Sequence, residues 1–405
     1  MKTKPFIAVR PAPDAAAEIA AVPYDVVSSE EARAIAAGNP LSFLHVSRPE
    51  IDLPAGTDIY SDAVYAQAGK ALDALLACGA LARDGEAAYY LYRQRMGEHE
   101  QTGVVACCHI DDYADDVIRK HEKTRQDKED DRTRHVLELG ANTGPVFLTY
   151  RDEAPIDAMV AAEAAAAPLY DFTSDDGNRH TVWKVSAGNT AEMRRLFAAV
   201  PVAYVADGHH RAKAAWRAGS ELRAAGAAAD AESNWFLAVL FPASQLQILP
   251  YNRLVADLNG LAGEEFLRRA GEIFQVAPTT EKSPGAARHV SMYLGGKWLD
   301  LSWPEFEGDP VEVLDVSVLQ ERLLAPVLGI ADPRTDKRIS FAGGIRGTAY
   351  LEGEVDSGRA AVAFSMAPVS VAQMMSIADA GKIMPPKSTW FEPKLRSGLF
   401  VHEIR

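Results

Sequence analysis

Between Pro201 and Trp216 the hydrophobic period changes from that of a strand to that of a helix across two residues. Pro201-Val-Ala-Tyr-Val-Ala206 is a short apolar run rich in β-formers, bounded by a proline and by Asp207-Gly208. From His209 onward Ala212, Ala215 and Trp216 recur at helical spacing. The chain here is built as strand, turn and helix, and the glycine lets the backbone turn sharply or approach a ligand closely. The first turn of such a helix carries N–H groups without intrahelical acceptors and the positive end of a dipole, which together suit an anion. Asp207, His209, His210 and Arg211 crowd that end, and an arginine is suited to a bidentate grip on phosphate. Two readings stay open at this point: an anion site, or a helix capped by Asp207 with three solvated polar neighbours.

The chain of 405 residues is long enough for two or three domains and a large core. A formal charge of −14 argues against a nucleic-acid binder, whose footprint is a basic patch. It leaves room for a local basic cleft that takes a small phosphorylated ligand. Three cysteines, Cys78 and the adjacent Cys107-Cys108, form neither a disulfide framework nor a metal-ligand spacing. They are expected to be reduced, buried thiols of a cytoplasmic protein. The start, Met1-Lys-Thr-Lys-Pro-Phe6, lacks the apolar core of a signal peptide, and no apolar run is long enough to span a membrane.

Alternating strands and helices predict a mixed α/β fold. Its expected parts are an N-terminal α/β region (1–110), a phosphate-binding core (111–245) and a C-terminal α/β region completing the site (246–405). In the first part, prolines break up residues 1–56, and 39–46 reads as turn plus strand with His45 satisfied in the core. A helix follows in which Thr57 supplies the cap for the face of Tyr60, Val64, Ala68, Leu72 and Leu75. Residues 88–95 and 102–110 form a hairpin. Further on, 313–328 reads as an amphipathic helix, and Gly343-Gly-Ile-Arg-Gly347 as either an anion cradle or a tight turn.

Two stretches besides the Asp-Gly turn concentrate charge. Residues 118–132 are dense in both signs, and Thr124 with Asp127 three residues on has the pattern of a capping box. Most runs of this kind are solvated helix faces, Glu129 among them. His121-Glu122 lies in the turn before that helix, where a carboxylate can face a ligand. In the tail, Lys387, Lys394 and Arg396 stand among hydroxyls and prolines, which stiffen an extended loop. That loop suits phosphate, and a basic surface loop is the other reading.

Asp207-Gly208-His209-His210-Arg211 also resembles the phosphate-binding box of the ParB/sulfiredoxin superfamily, in the form used by free L-serine kinases. The chain from Arg10-Pro11 to Lys387-Ser-Thr-Trp-Phe-Glu-Pro-Lys-Leu-Arg-Ser-Gly-Leu-Phe400 resembles the serine-kinase-like family catalogued as domain of unknown function 1015. The resemblance implies a ParB/sulfiredoxin-like core. It makes Glu122 the base that activates the substrate hydroxyl, with Asp207 next in line. It assigns phosphate or nucleotide binding to Gly208, His209, His210 and Arg211, with Lys387, Ser388 and Thr389 as a second contact. His121, Arg125 and Arg396 take lesser parts in holding the substrate. The implied activity is nucleotide-dependent phosphorylation of free L-serine, with ADP favoured over ATP and Mg²⁺ to offset phosphate charge. An O-phosphoserine phosphatase on the same scaffold needs the same pocket with water as acceptor. A ParB-like nucleotide switch without catalysis calls for DNA-binding helices and basic surface that the sequence does not show. A nuclease using Asp207, His209 and His210 around a metal is weakened by the acidic charge. Sulfiredoxin chemistry needs a cysteine near the box, and none is close in sequence.

Overall fold

The computed structural model describes all residues, 1–405, and has the mixed α/β class read from the sequence. Its contacts divide the chain into two units. The first comprises 1–120, 124–246 and 393–405; the second comprises 121–123 and 247–392. No break falls at residue 110, because strands on both sides of that position belong to one sheet.

The first unit is organised on a nine-stranded mixed sheet. Its order is Ile118–Arg119, Ala203–Asp207, Val146–Tyr150, Trp235–Pro242, His99–His109, Tyr90–Met96, Arg179–Lys184 and Tyr170–Thr173, with Thr3–Lys4 paired to His99–His109. Ala203–Asp207 runs parallel to Ile118–Arg119 and antiparallel to Val146–Tyr150. The central strands are buried and apolar, as their continuous Val, Leu and Phe runs require. Leu148, Val205, Ala238 and Leu240 share a core with Phe197 and with Ala212 and Ala215 of the helix His209–Ala224. A four-stranded sheet (Leu81–Arg83, Ala8–Pro11, Val401–Glu403, Ala141–Asn142) covers a second core around Ile19, Phe43 and Leu72.

The second unit holds a six-stranded antiparallel sheet. Its order is Gln275–Pro278, Lys297–Ser302, His289–Leu294, Val362–Met366, Tyr251–Val255 and Ile339–Gly343. Alternation divides its side chains. Val255, Val290, Met292 and Phe364 pack on the helix Gly263–Ile273, whereas Leu254, Tyr293 and Ala363 pack on Gly347–Asp356. A separate ribbon pairs Gln247–Leu249 with Trp390–Glu392.

Several local expectations change. Residues 44–47 form a helical turn, not a strand, although His45 is satisfied by Asp52 and the Asn39 carbonyl. The helix expected from Thr57 begins at Asp62, because the Thr57 hydroxyl donates to the Pro54 carbonyl instead. The segment 313–328 is regular only over Asp315–Leu319 and then widens into a π turn at Gln320–Leu324. It is amphipathic as expected: Val318, Leu319, Leu323, Leu324 and Leu328 are buried, and Glu321 and Arg322 are exposed. Cys107 and Cys108 are buried, but Cys78 is exposed. Of the glycines of 343–347, Gly343 and Gly344 serve close packing, and Gly347 takes φ 70°. A Cβ on Gly343 would meet the Trp390 ring at 2.7 Å, and one on Gly344 would meet Pro250 at 2.7 Å. The Gly344 N–H already donates to the Pro250 carbonyl.

Candidate functional site

The residues singled out by sequence lie in both units, and each group has its own geometry. In the first unit a β-bulge falls between Val205 and Asp207. Val205 pairs with Leu148, yet Asp207 pairs with Phe147, so Ala206 is an extra residue. Plain alternation would send Asp207 to the core face of Ala203 and Val205; the bulge re-aims it. Gly208 then adopts φ 89°, and the 16-residue helix starts at His209. A side chain at that φ costs about 1–2 kcal/mol, and a Cβ would meet Arg211 Nε at 2.9 Å. Gly208→Ala is therefore expected to destabilise the protein by about that amount and to displace Arg211. Thermal melting and phosphate titration of the variant check this.

Arg211 folds back over Gly208. It donates from Nη1 to the Pro145 carbonyl at 2.5 Å and from Nη2 to Asp207 at 2.7 Å, with Asp25 at 3.9 Å. Its side chain is 9 % exposed, and its buried Nε–H has no hydrogen-bond partner. Lys394, from the tail, reaches the other Asp207 oxygen at 3.2 Å. Burial alone would raise the Asp207 carboxyl, but Lys394 and Arg211, aided by His209, outweigh it and hold the acid far below the usual carboxylate range. Such a carboxylate is a weak base, so its role is to orient two cations rather than to move protons.

His209 is buried at the helix start. His210 Nε2 accepts from the Arg125 backbone N–H at 3.1 Å, which requires an unprotonated Nε2. Burial lowers its pKa, against Asp25 and Glu129, in keeping with a neutral ring. That bond and the saturation of Asp207 leave Asp207, His209 and His210 a poor joint metal site. The Arg125 side chain is paired with Asp127 on the surface. Arg396 is 5 % exposed and committed to Asp176, Ser174 and His180. A cavity of about 30 Å³, room for one water, is lined by Tyr24, Ser47, Arg132, His135 and Arg211 among others.

The capping box expected at Thr124 is absent. The helix Gln126–Leu139 is preceded by Arg125, and the Thr124 hydroxyl donates to Glu129. Glu129 is buried and bonded also to Arg217 at 3.4 Å, so it does not belong to a solvated face.

In the second unit, His121 brings together segments 268 residues apart. Its Nε2 lies 3.4 Å from Thr389 Oγ1, and its carbonyl accepts from Met384 N at 2.8 Å. Glu122, half-buried, is thereby held beside the 384–389 loop. Ser388 braces that loop by donating to the Pro385 carbonyl at 2.6 Å. Lys387 stands at φ 56°, a conformation that lysine rarely adopts, with Nζ 5.3 Å from the centre of the Tyr251 ring. Its carbonyl accepts from Arg253 Nη2 at 3.1 Å. Sequence reasoning found no role for Asp25 or Arg253, nor the pairing of Lys394 with Asp207. Lys394 was visible as a cation of the stiffened tail. The signal for Arg253 was a charge in register with Tyr251 and Val255 within a strand.

No curated protein matches this sequence. Among solved structures, a free serine kinase variant in complex with AMP is 13 % identical with a TM-score of 0.38, covering 74 % of this chain and 92 % of its own. A conserved hypothetical protein from Pyrococcus furiosus has 13 % identity and a TM-score of 0.37, covering 74 % and 95 %. A C-terminally truncated SbnI from Staphylococcus aureus has 12 % identity and a TM-score of 0.40, covering 74 % and 87 %. No helix is long and apolar enough to cross a membrane. Residues 3–317 match the family of proteins of unknown function termed DUF1015, and with well over half of its length so matched the chain belongs to that family.

Proposed function

We propose that the protein is a small-molecule phosphotransfer enzyme acting on L-serine or O-phosphoserine, working as a nucleotide-dependent free serine kinase. The observation that carries this reading is the helix entrance at Gly208. There the positive end of a 16-residue helix meets a guanidinium whose buried Nε–H lacks an acceptor. The resemblance of Asp207-Gly-His-His-Arg211 to the box of the serine kinases gives that anion site its substrate class. The donors around Gly208 fit phosphate oxygens. Asp207, already bonded to two cations, does not fit a magnesium ion. A bound ADP or ATP supplies the phosphoryl group. The chain's own part is to hold phosphate at Gly208 and Arg211 and to take the serine hydroxyl proton at Glu122.

Phosphorus NMR tests the reading. Incubation with serine and ADP or ATP should yield an O-phosphoserine signal. Release of inorganic phosphate from O-phosphoserine alone would instead assign the phosphatase reaction. No transfer in either incubation would overturn both.

Lys387 offers a test that separates chemistry from folding. Its left-handed backbone costs about 1 kcal/mol, which glycine would relieve at a similar entropic cost. Lys387→Gly should therefore melt close to the parent protein while losing activity. Unchanged turnover would remove the loop from the site.

A further inference from the structure

Strand alternation places Arg253 on the sheet face of Val255, with Phe341 and Phe364 as its paired neighbours. That face is the apolar core of the second unit, in which Val255 and Phe364 are fully buried and against which Phe341 packs. Arg253 is 4 % exposed there, with its guanidinium carbon 5.5 Å from the centre of the Phe341 ring. Two of the five N–H groups of the guanidinium are engaged, one with the Tyr251 carbonyl and one with the Lys387 carbonyl. No carboxylate offsets the charge. Burial lowers its pKa to about 10, opposed only by Tyr251, and it stays protonated at neutral pH. Arg132 and Arg211, similarly enclosed, each sit on an aspartate, Asp131 and Asp207. Buried cations are ordinarily paired in this way. A second cation is close by, because the Lys387 ammonium lies over the ring of Tyr251, whose carbonyl Arg253 holds. Lys387 is also one of four non-glycine residues with a left-handed backbone, the kind of outlier that collects at ligand sites.

We propose that Arg253 is an anion-binding residue which, beside Lys387, recognises a phosphate group, the counter-charge that the fold does not provide for Arg253. This deepens the phosphotransfer reading and rests on it only for the identity of the molecule that carries the phosphate. The competing role for Arg253 is a mechanical clamp on the 384–389 loop through the Lys387 carbonyl.

Inorganic phosphate is the probe, titrated calorimetrically into the full chain and into Arg253→Gln and Lys387→Ala. Glutamine keeps a donor for the carbonyls and removes the charge. Phosphate affinity should fall roughly tenfold to a hundredfold in Arg253→Gln, as expected when one charge-assisted contact is lost. Without phosphate, that variant should melt at or above the parent temperature, since an uncompensated buried charge is gone. Equal phosphate affinity, or a lower melting temperature with the phosphate response intact, makes Arg253 a clamp and overturns the proposal. Should Arg253→Gln fail to fold, hydrogen exchange on the unmodified protein decides. Phosphate should slow exchange in 251–255 and 384–389, and unchanged exchange there overturns the proposal. Phosphate binding that depends on Arg253, without phosphorylation of serine, would sustain this inference and sink the kinase reading. Serine phosphorylation with phosphate binding indifferent to Arg253 would do the reverse.

Discussion

Replacing Glu122 by glutamine is expected to lower turnover by about 10²–10⁴ while leaving phosphate affinity unchanged. A serine hydroxyl is a poor nucleophile at neutral pH, and transfer is helped when a carboxylate accepts its proton as the bond to phosphorus forms. Glutamine preserves size and hydrogen bonding and removes basicity. The position of Glu122 supports the role: it follows His121, whose ring and carbonyl tie it to Thr389 and Met384. Asp207 is the alternative base by sequence, but two cations hold it as a weakly basic carboxylate. The control must be an acid outside any such arrangement. Glu129 fails that requirement, since it is buried against Thr124 and Arg217 and its loss would perturb the helix. Glu138 is half exposed, with Arg134 only at 3.8 Å, and its replacement by glutamine should be nearly silent. Equal small effects at positions 122 and 138, read from steady-state rates, would remove Glu122 from the chemistry.

What the sequence made legible follows from the range of each interaction. The strand–Asp207-Gly208–helix unit was readable because its determinants are local: a period of two, a glycine, then a helical period. The bulge at Ala206 was not, since a register shift depends on where Phe147 and Leu148 lie on the partner strand. Nor could the sequence show that Lys394 meets Asp207, 187 residues away. The short motif around Thr124 misled for the same reason. A hydroxyl with an acid three residues on predicts a capping box, but Glu129, two residues further along, took the hydroxyl instead. Arg253 is the clearest case. In a strand of alternating character a charge reads as solvent-facing, and only the pairing with Phe341 and Phe364 shows it on the core face. Burial of a charge is a tertiary property that no window of residues contains.

Asp207→Asn is expected to destabilise the first unit by about 2 kcal/mol, between the near-zero worth of exposed ion pairs and the roughly 3–5 kcal/mol lost on breaking buried ones. The intermediate figure follows from its side chain being 27 % exposed while its partners Arg211 and Lys394 are 9 % and 12 % exposed. Asparagine keeps the shape and removes the carboxylate that Arg211 and Lys394 share. A cycle with Arg211→Met should recover part of the loss, because the second substitution removes one of the two cations that shared Asp207. The pH dependence gives the sign. Because the folded-state carboxyl lies well below its unfolded value, its stabilisation is fully present above the unfolded pKa of about 3.9 and fades as pH falls below it. The gap between the parent protein and Asp207→Asn, measured by urea unfolding, should stay constant from neutral pH down to about pH 5 and narrow below about pH 4. A gap that is absent at neutral pH, or that widens on acidification, would mean that Asp207 is not the anchor of Arg211 and Lys394. The phosphate readout adds a second criterion: with its anchor gone, Arg211 should lose its position over Gly208, and phosphate affinity should fall together with stability.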